Sequence, residues 1–232
     1  MSANTDVLGR AETVRVSVSR TAWPLPRIIS ESGQWNPQDF AREQIRGLVR
    51  QVFLTGGAPP PRQVAFSAAD AEIDVYRVCD QVGSALALET GADVAVVSDE
   101  QPFGDMLRPH PRFGGRVTIK SWSKSKGSNL WEVPRRGGRD YGTGRYWLSF
   151  LAELRNEFEY AIIHAPIVGT SSEAVLLGRL ADGIVLVLGA HTTRKAIART
   201  IKERLVGAQC HILGTVLSER RFPIPDWIYR RL

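Results

Sequence analysis

The chain has 232 residues, a net charge of +6, 43% hydrophobic and 23% charged residues, the composition of a soluble globular protein with room for one large α/β domain. Its longest apolar runs, such as IVLVL at 184 to 188, are too short to cross a bilayer, and the polar first thirty residues hold no h-region, so neither a membrane span nor a secretory signal is predicted. A pI of about 9.7 admits an anionic partner without requiring one, and Cys79 and Cys210, far apart in apolar patterns, read as buried thiols of a reducing cytosol.

Residues 1 to 35 contain VRVSVS but no long periodic segment and read as an N-terminal arm; residues 36 to 232 read as a single domain. Asn36 and Pro37 suit an N-cap and first helical residue. Ala41, Ile45, Leu48, Val49 and Val52 then recur at helical spacing up to Gly56-Gly57. APPPR is a stiff connector into a strand at Val64 to Ser67.

The next stretch, SAADAEIDVYR at 67 to 77, occupies a strand–loop–helix junction where many α/β proteins carry a phosphate-binding loop. Such a loop needs glycines that let the backbone wrap a phosphate, a lysine to bridge phosphates and a hydroxyl for magnesium. This one has no glycine and no lysine, and it carries Asp70, Glu72 and Asp74. A carboxylate beside a polyanion costs on the order of 1 kcal/mol even in high dielectric. Acids in a first turn suit the helix dipole, with Asp70 as a candidate N-cap; at i, i+2 and i+4 they are weak grounds for a cation site.

Val75, Val78, Cys79, Val82, Ala85 and Leu86 share one helical face, and VAVV at 94 to 97 reads as a buried strand. Residues 108 to 145 then carry ten Lys or Arg against two acids, a net +8 that leaves the remainder of the chain at −2. This Gly-, Ser- and Pro-rich insert has one strand candidate, NLWEV at 129 to 133, and interleaves Phe113, Trp122, Trp131 and Tyr141 with its cations. Arg116, Lys120, Lys124, Lys126, Arg135, Arg136 and Arg139 form a candidate basic patch for anionic lipid, nucleic acid or an acidic glycan, against the alternative of a solvated loop. No DNA- or RNA-binding motif accompanies it, and GGRDYGTG at 137 to 144 reads as a flexible turn.

Alternation resumes with a helical stripe (Trp147, Phe150, Leu151, Leu154, Phe158), the strand YAII, the helix SSEAVLLGRLA, the strand IVLVL, a helix from Thr193 to Leu205 stopped by Gly207, and the strand HILGTVL. Strands apolar on both faces, alternating with helices, predict a doubly wound, mostly parallel sheet covered on both sides. Ligands of such sheets lie beyond the strand carboxyl ends, here Ser67 onward, Ser98 to Glu100, His164, Gly189 and Ser218. His164 could be an acid or base, a transition-metal ligand with His191 or His211, or a hydrogen-bonded structural residue.

EQIRGLVRQVF at 43 to 53, the run VAFSAAD…VGSALALETGADVAVV, FEYAIIHAPIVGTSSEAVLLGRLADGIVLVL and the tail GTVLSERRFPIPDWIYRRL follow one another in an order that resembles the cytoplasmic P-loop domain of bacterial tyrosine autokinases of capsule and exopolysaccharide biosynthesis. That family lies within the deviant-Walker ATPases, with septum-site and chromosome-partitioning proteins, and the resemblance covers about residues 41 to 232. It implies a three-layer α/β/α P-loop NTPase-like fold. It also implies an assembly helix in which Glu43 and Arg46 match two motif positions, while the third is Val49 with Arg50 beside it.

Carried onto this sequence, the family's loop lysine falls at Val75, its magnesium-binding hydroxyl at Tyr76 and the preceding glycine at Asp74. Its Asp-x-Asp becomes Ser98-Asp99-Glu100, and the Walker B aspartate becomes His164, which as neutral imidazole is a poor substitute near hard Mg²⁺. Glu173 keeps an acid, Ser218 stands where an Asn often reads adenine, and the tyrosine cluster is reduced to Tyr229. The implied function is a non-catalytic structural or regulatory subunit, without cofactor, in the cytoplasm or peripheral at the inner membrane. The implied partners are a membrane chain-length regulator, a paralogous active kinase, an anionic membrane surface or further copies of itself. The alternatives are an atypical ATP–Mg²⁺-binding autokinase or ATPase of the same pathway, and an anionic-surface or nucleic-acid binding module that uses the basic insert.

Overall fold

Pro37 opens α1 (Pro37–Val49), where a missing N–H costs nothing, and a π turn (Arg50–Leu54) continues it. The computed structural model describes residues 37–55, 59–98, 119–127, 129–135 and 143–218. The N-terminal arm, Asn36, Gly56-Gly57, Asp99, Glu100, Arg116, Arg136, Arg139, most of the 137–144 turn and Tyr229 lie outside the described residues.

Among the described residues, seven strands form one sheet in the order β3-β4-β2-β5-β1-β6-β7. They are β1 (Gln63–Ala68), β2 (Val94–Ser98), β3 (Lys124–Ser125), β4 (Leu130–Pro134), β5 (Tyr160–His164), β6 (Gly183–Gly189) and β7 (Ile212–Ser218). All pair in parallel except β3, a two-residue strand antiparallel to β4. The helices between them are α2 (Val75–Thr90), α3 (Gly144–Glu157), α4 (Ser172–Leu180) and α5 (Lys195–Gly207).

The period-two pattern sorts the central strands cleanly between two cores. Val64, Phe66, Val94, Val96, Ile162, Val185 and Val187 face Val49 of α1 and Val75, Val78, Cys79, Val82 and Leu86 of α2. Ala65, Ala95, Val97, Ala161, Ile163, Ile184 and Leu186 face α3, α4 and α5 through Trp147, Leu154, Leu177, Ile201 and Leu205. Each fully buried aliphatic or aromatic side chain contributes roughly 1.5–3 kcal/mol, which is why strands with no polar face are stable here. Both cysteines are buried and free, as expected.

One boundary differs from the sequence expectation. Helix α5 starts at Lys195, not Thr193, because the Thr193 hydroxyl accepts from Gly189 N (2.8 Å) and donates to Asp70, tying that residue to the preceding turn. It also runs through Gly207, and the left-handed turn that ends it falls on Gln209 (φ 59°). Strands β1, β2, β5, β6 and β7 end at Ala68, Ser98, His164, Gly189 and Ser218, so the expected carboxyl edge is the observed one. Ser218 O accepts from Ala190 N (2.9 Å) there.

Candidate functional site

The loop after β1 is tied down by backbone hydrogen bonds at its two ends. Ala69 N donates to Val187 O (3.1 Å), and Val75 N donates to Ile73 O (3.0 Å). Asp74 is the N-cap of α2 and accepts from Arg77 N at 2.9 Å. The capping role therefore belongs to Asp74, not Asp70; the Asp70 carboxylate instead receives the Thr193 hydroxyl across the carboxyl edge. Glu72 is exposed, while Ile73 and Val75 are buried and pin the loop to the core. The three acids thus diverge, and among the described residues no group of three or more His, Cys, Asp or Glu could hold a metal ion. With a Cβ at every position and carboxylates at the rim, these residues do not fit a triphosphate with its magnesium.

Tyr76, in the first turn of α2, fills the adjoining space. Its ring lies 6.3 Å from His164, edge-on, and its hydroxyl donates to Glu132 Oε1 at 2.5 Å. Lys126 Nζ sits 5.6 Å over the same ring and pairs with Asp80 at 2.6 Å. His164 and Ser98 follow paired residues of neighbouring strands, Ile163 and Val97, so they stand side by side. Ser98 Oγ (residue 1% exposed) and His164 Nδ1 are buried and have no hydrogen-bond partner among the described residues.

Burial lowers the His164 pKa, the Arg135 charge lowers it further, and Asp74 opposes both; the imidazole is neutral at pH 7. The metal reading with His211 fails on topology: His211 precedes β7 at the opposite edge, with Nδ1 3.1 Å from Asp182 O. His191 lies in the exposed turn after β6.

On the other face, Arg135 is 2% exposed. Its amide donates to Ser98 O (3.2 Å), and its guanidinium lies 3.5 Å from Glu173 and 5.8 Å over Trp147. Trp147 Nε1 donates to the same Glu173 oxygen at 2.9 Å. Glu173, the acid retained by resemblance, is therefore engaged in joining β4, α3 and α4.

This corrects the basic patch. Arg135 is buried, Lys126 pairs with Asp80, and Lys120 pairs with Asp93 at 2.5 Å while lying 5.5 and 5.3 Å over Trp131 and Phe158. The Lys120 hydrogen bond holds the Asp93 carboxyl below its usual range, against some desolvation. Glu157 accepts from Ile119 N and Lys120 N at 2.8 Å each. The described cations of the insert are thus largely neutralised by acids outside it, which accounts for part of the charge asymmetry; Lys124 alone of the four described patch residues is exposed on β3 without an ion pair.

On α1, Glu43 and Arg46 lie 3.8 Å apart, and Arg46 and Arg50 reach Glu89 of α2 at 3.8 and 3.0 Å. Val49 at the third motif position belongs to the core. Beside these pairs the two helices frame a groove of about 740 Å³, bordered by Ile45, Arg77, Ala85 and Leu88.

Sequence reasoning missed Glu132 and Lys126 as partners of Tyr76, and the Arg135–Glu173–Trp147 cluster. The available signal was an acid inside an otherwise apolar strand, which demands a donor.

Neither a protein-family model nor a curated protein matches the sequence. Solved structures do. The VpsO kinase domain superimposes with a TM-score of 0.61 at 15% identity, covering 79% of this chain and 98% of that one. The kinase domain of the Escherichia coli tyrosine kinase ETK gives 0.55 at 14% identity, covering 80% and 79%. The MinD cell division protein of Aquifex aeolicus gives 0.52 at 15% identity, covering 73% and 72%. At these identities the likeness establishes the fold, which is the one the sequence resemblance implied.

Proposed function

We propose that this chain, which shares the fold of bacterial tyrosine-kinase domains and MinD, is a non-catalytic structural or regulatory subunit of exopolysaccharide or capsule biosynthesis. It works through protein contacts at the inner face of the membrane, with a chain-length regulator or a paralogous active kinase as partner. One observation carries the reading: the loop after β1 has a Cβ at every position and presents Asp70 and Asp74, with Val75 and Tyr76 where lysine and hydroxyl would stand. Losing one such part could be a variant mechanism. Losing the glycines, cation, hydroxyl and strand-end carboxylate together supports a fold kept without its chemistry.

A second reading, an altered nucleotide site in the same pathway, draws on Ser98 Oγ and His164 Nδ1, which find no hydrogen-bond partner among the described residues. Thermal unfolding with ATP–Mg²⁺ separates the two. A ligand at one hundred times its Kd adds about 2.7 kcal/mol, a rise of several degrees. The expected result is no shift; a rise with millimolar ATP–Mg²⁺ that an unrelated anion does not reproduce overturns the proposal.

A further inference from the structure

Helix α5 carries charge that its own folding does not call for. Its first turn holds no acid, and its N-cap, Arg194, makes no side-chain cap. Arg194 and Lys195 thus place two cations at the positive end of the helix dipole, where local stability favours anions. Lys195, Arg199 and Lys202, at i, i+4 and i+7, form one stripe on the outer side of the helix, and all are exposed. Arg199 is offset by Glu203 at 2.9 Å, and Arg204 is occupied by the carbonyls of Val168 and Gly169. The side chains of Arg194, Lys195 and Lys202 make no hydrogen bond or ion pair with any described residue. The contrast with the insert is direct: there Lys120, Lys126 and Arg135 sit on acids.

We infer that the outer face of α5 is a contact surface for an anionic lipid bilayer. Ile201 and Leu205 bury the inner face in the core, so the outer face is free to lie against a plane. One large aliphatic, Val206 at 58% exposed, continues the basic stripe, whereas Ile197 lies one turn before Ile201 at the edge of the buried face. Lysines beside an exposed aliphatic suit a headgroup boundary, which takes in apolar side chains and anion-paired ammonium groups together. A duplex offers nothing to Val206, and α5 exposes no Asn, Gln or aromatic side chain for base edges or stacking. The inference deepens the inner-membrane part of the proposal above and is independent of the nucleotide question, since its readout is lipid partition and not ligand-induced stabilisation.

The test is sedimentation of the full chain with phosphatidylcholine vesicles and with vesicles of equal parts phosphatidylcholine and phosphatidylglycerol, at low and high salt. Binding to the anionic vesicles alone, weakening with salt, is expected. At about 1 kcal/mol per basic residue near the surface, Lys195→Gln with Lys202→Gln should lower the partition coefficient roughly thirtyfold. Lys124→Gln on β3 should leave it unchanged. Both α5 positions are exposed, and Lys195→Gln removes a cation from the positive end of the helix dipole, so the thermal midpoint should not fall; if the double variant fails to fold, Lys202→Gln alone should cost roughly fivefold. Equal partition to both vesicle types, an unchanged α5 variant, or an equal loss in Lys124→Gln overturns the inference. So does tighter binding to duplex DNA at the same salt with the steep salt slope of phosphate contacts.

Discussion

The Tyr76 hydroxyl and the Glu132 carboxylate, 56 residues apart in sequence, share a 2.5 Å hydrogen bond that joins the first turn of α2 to the middle of β4. The bond sits beside His164 and under Lys126, so it fixes the aromatic plug at the carboxyl edge. Tyr76→Phe keeps the ring and removes only the donor, leaving a half-buried carboxylate short of a partner. The expected loss is about 1.5–2 kcal/mol in urea unfolding, with an unchanged m-value, because hydrogen bonds to charged groups exceed the neutral average. An unchanged midpoint would mean that water serves Glu132 equally well.

Restoring two side chains should not restore a nucleotide site. Val75→Lys with Tyr76→Ser supplies the missing cation and hydroxyl, yet Ala69 N and Val75 N remain bonded to Val187 O and Ile73 O, and no glycine lets the chain wrap a phosphate. Val75 is also buried, so an unpaired lysine there costs several kcal/mol or drops its proton. The variant is expected to melt lower than the parent and to show no ATP–Mg²⁺ shift in calorimetry. A saturable shift would place the defect in those two side chains alone.

The layered fold was legible because its signal is periodic. Val64 and Phe66 against Ala65, or Val96 against Val97, sort to opposite cores by the two-residue pleat alone, and the α2 face at 75, 78, 79, 82 and 86 follows from helical spacing. The carboxyl-edge residues were legible for the same reason, since a strand end fixes them. What sits between elements was not. Asp70 lies four residues from the true cap, and composition cannot tell that Thr193, 123 residues away, claims its carboxylate. The net charge of the insert likewise hid that Asp80, Asp93 and Glu173, distant in sequence, come to Lys126, Lys120 and Arg135 in space.

Two glycines in helices should respond to alanine with opposite signs. A Cβ at Gly83 would lie 2.5 Å from Val96 Cγ2 and 3.2 Å from Leu130 Cδ1, both in the packed sheet, whereas one at Gly47 meets nothing within 4 Å. Helix propensity favours alanine by about 1 kcal/mol at either site. At Gly83 overpacking of about 1–3 kcal/mol opposes it, so Gly83→Ala is expected to destabilise by roughly 1 kcal/mol and Gly47→Ala to stabilise by up to about 1 kcal/mol. Paired thermal melts decide it, and equal shifts would refute the close approach of α2 to β2.

The α1 surface tests the partner side of the proposal. Glu43 and Arg46 face outward one turn apart, and Arg46 also approaches Glu89. Exposed pairs of this kind contribute little to folding, about 0–1 kcal/mol, so Glu43→Arg should leave the melting temperature nearly unchanged. If α1 is an assembly face, the same reversal should weaken self-association, or association with a related kinase, in sedimentation velocity. Association that is identical in parent and variant, with the kinase present, reduces the pair to a solvated ornament of the helix.

His164 gives the fold a pH dependence with a definite sign. Its imidazole is flanked by Tyr76 and Asp74 at the start of α2 and by Arg135 after β4, and burial followed by the Arg135 charge lowers its pKa below the ordinary histidine value of 6.5. Between the lowered folded pKa and about 6.5 the unfolded chain therefore binds the proton and the folded chain does not, so stability rises with pH in that window. The penalty should grow as pH falls below about 6.5 and level off once the folded imidazole protonates. Asp93 and Asp182 cannot mimic this. Lys120 lowers the first, and hydrogen bonds from Arg155, Gln63 and Arg62 lower the second despite its desolvation. With depressed folded pKa values, both carboxylates hold their contribution down to about pH 4 and lose it only further into acid. His164→Phe keeps an aromatic ring against Tyr76 and removes the titration. Its urea midpoint should be flat where the parent's declines, between about pH 6.5 and 5; parallel declines in the two proteins would assign the slope to other groups and refute the buried neutral imidazole.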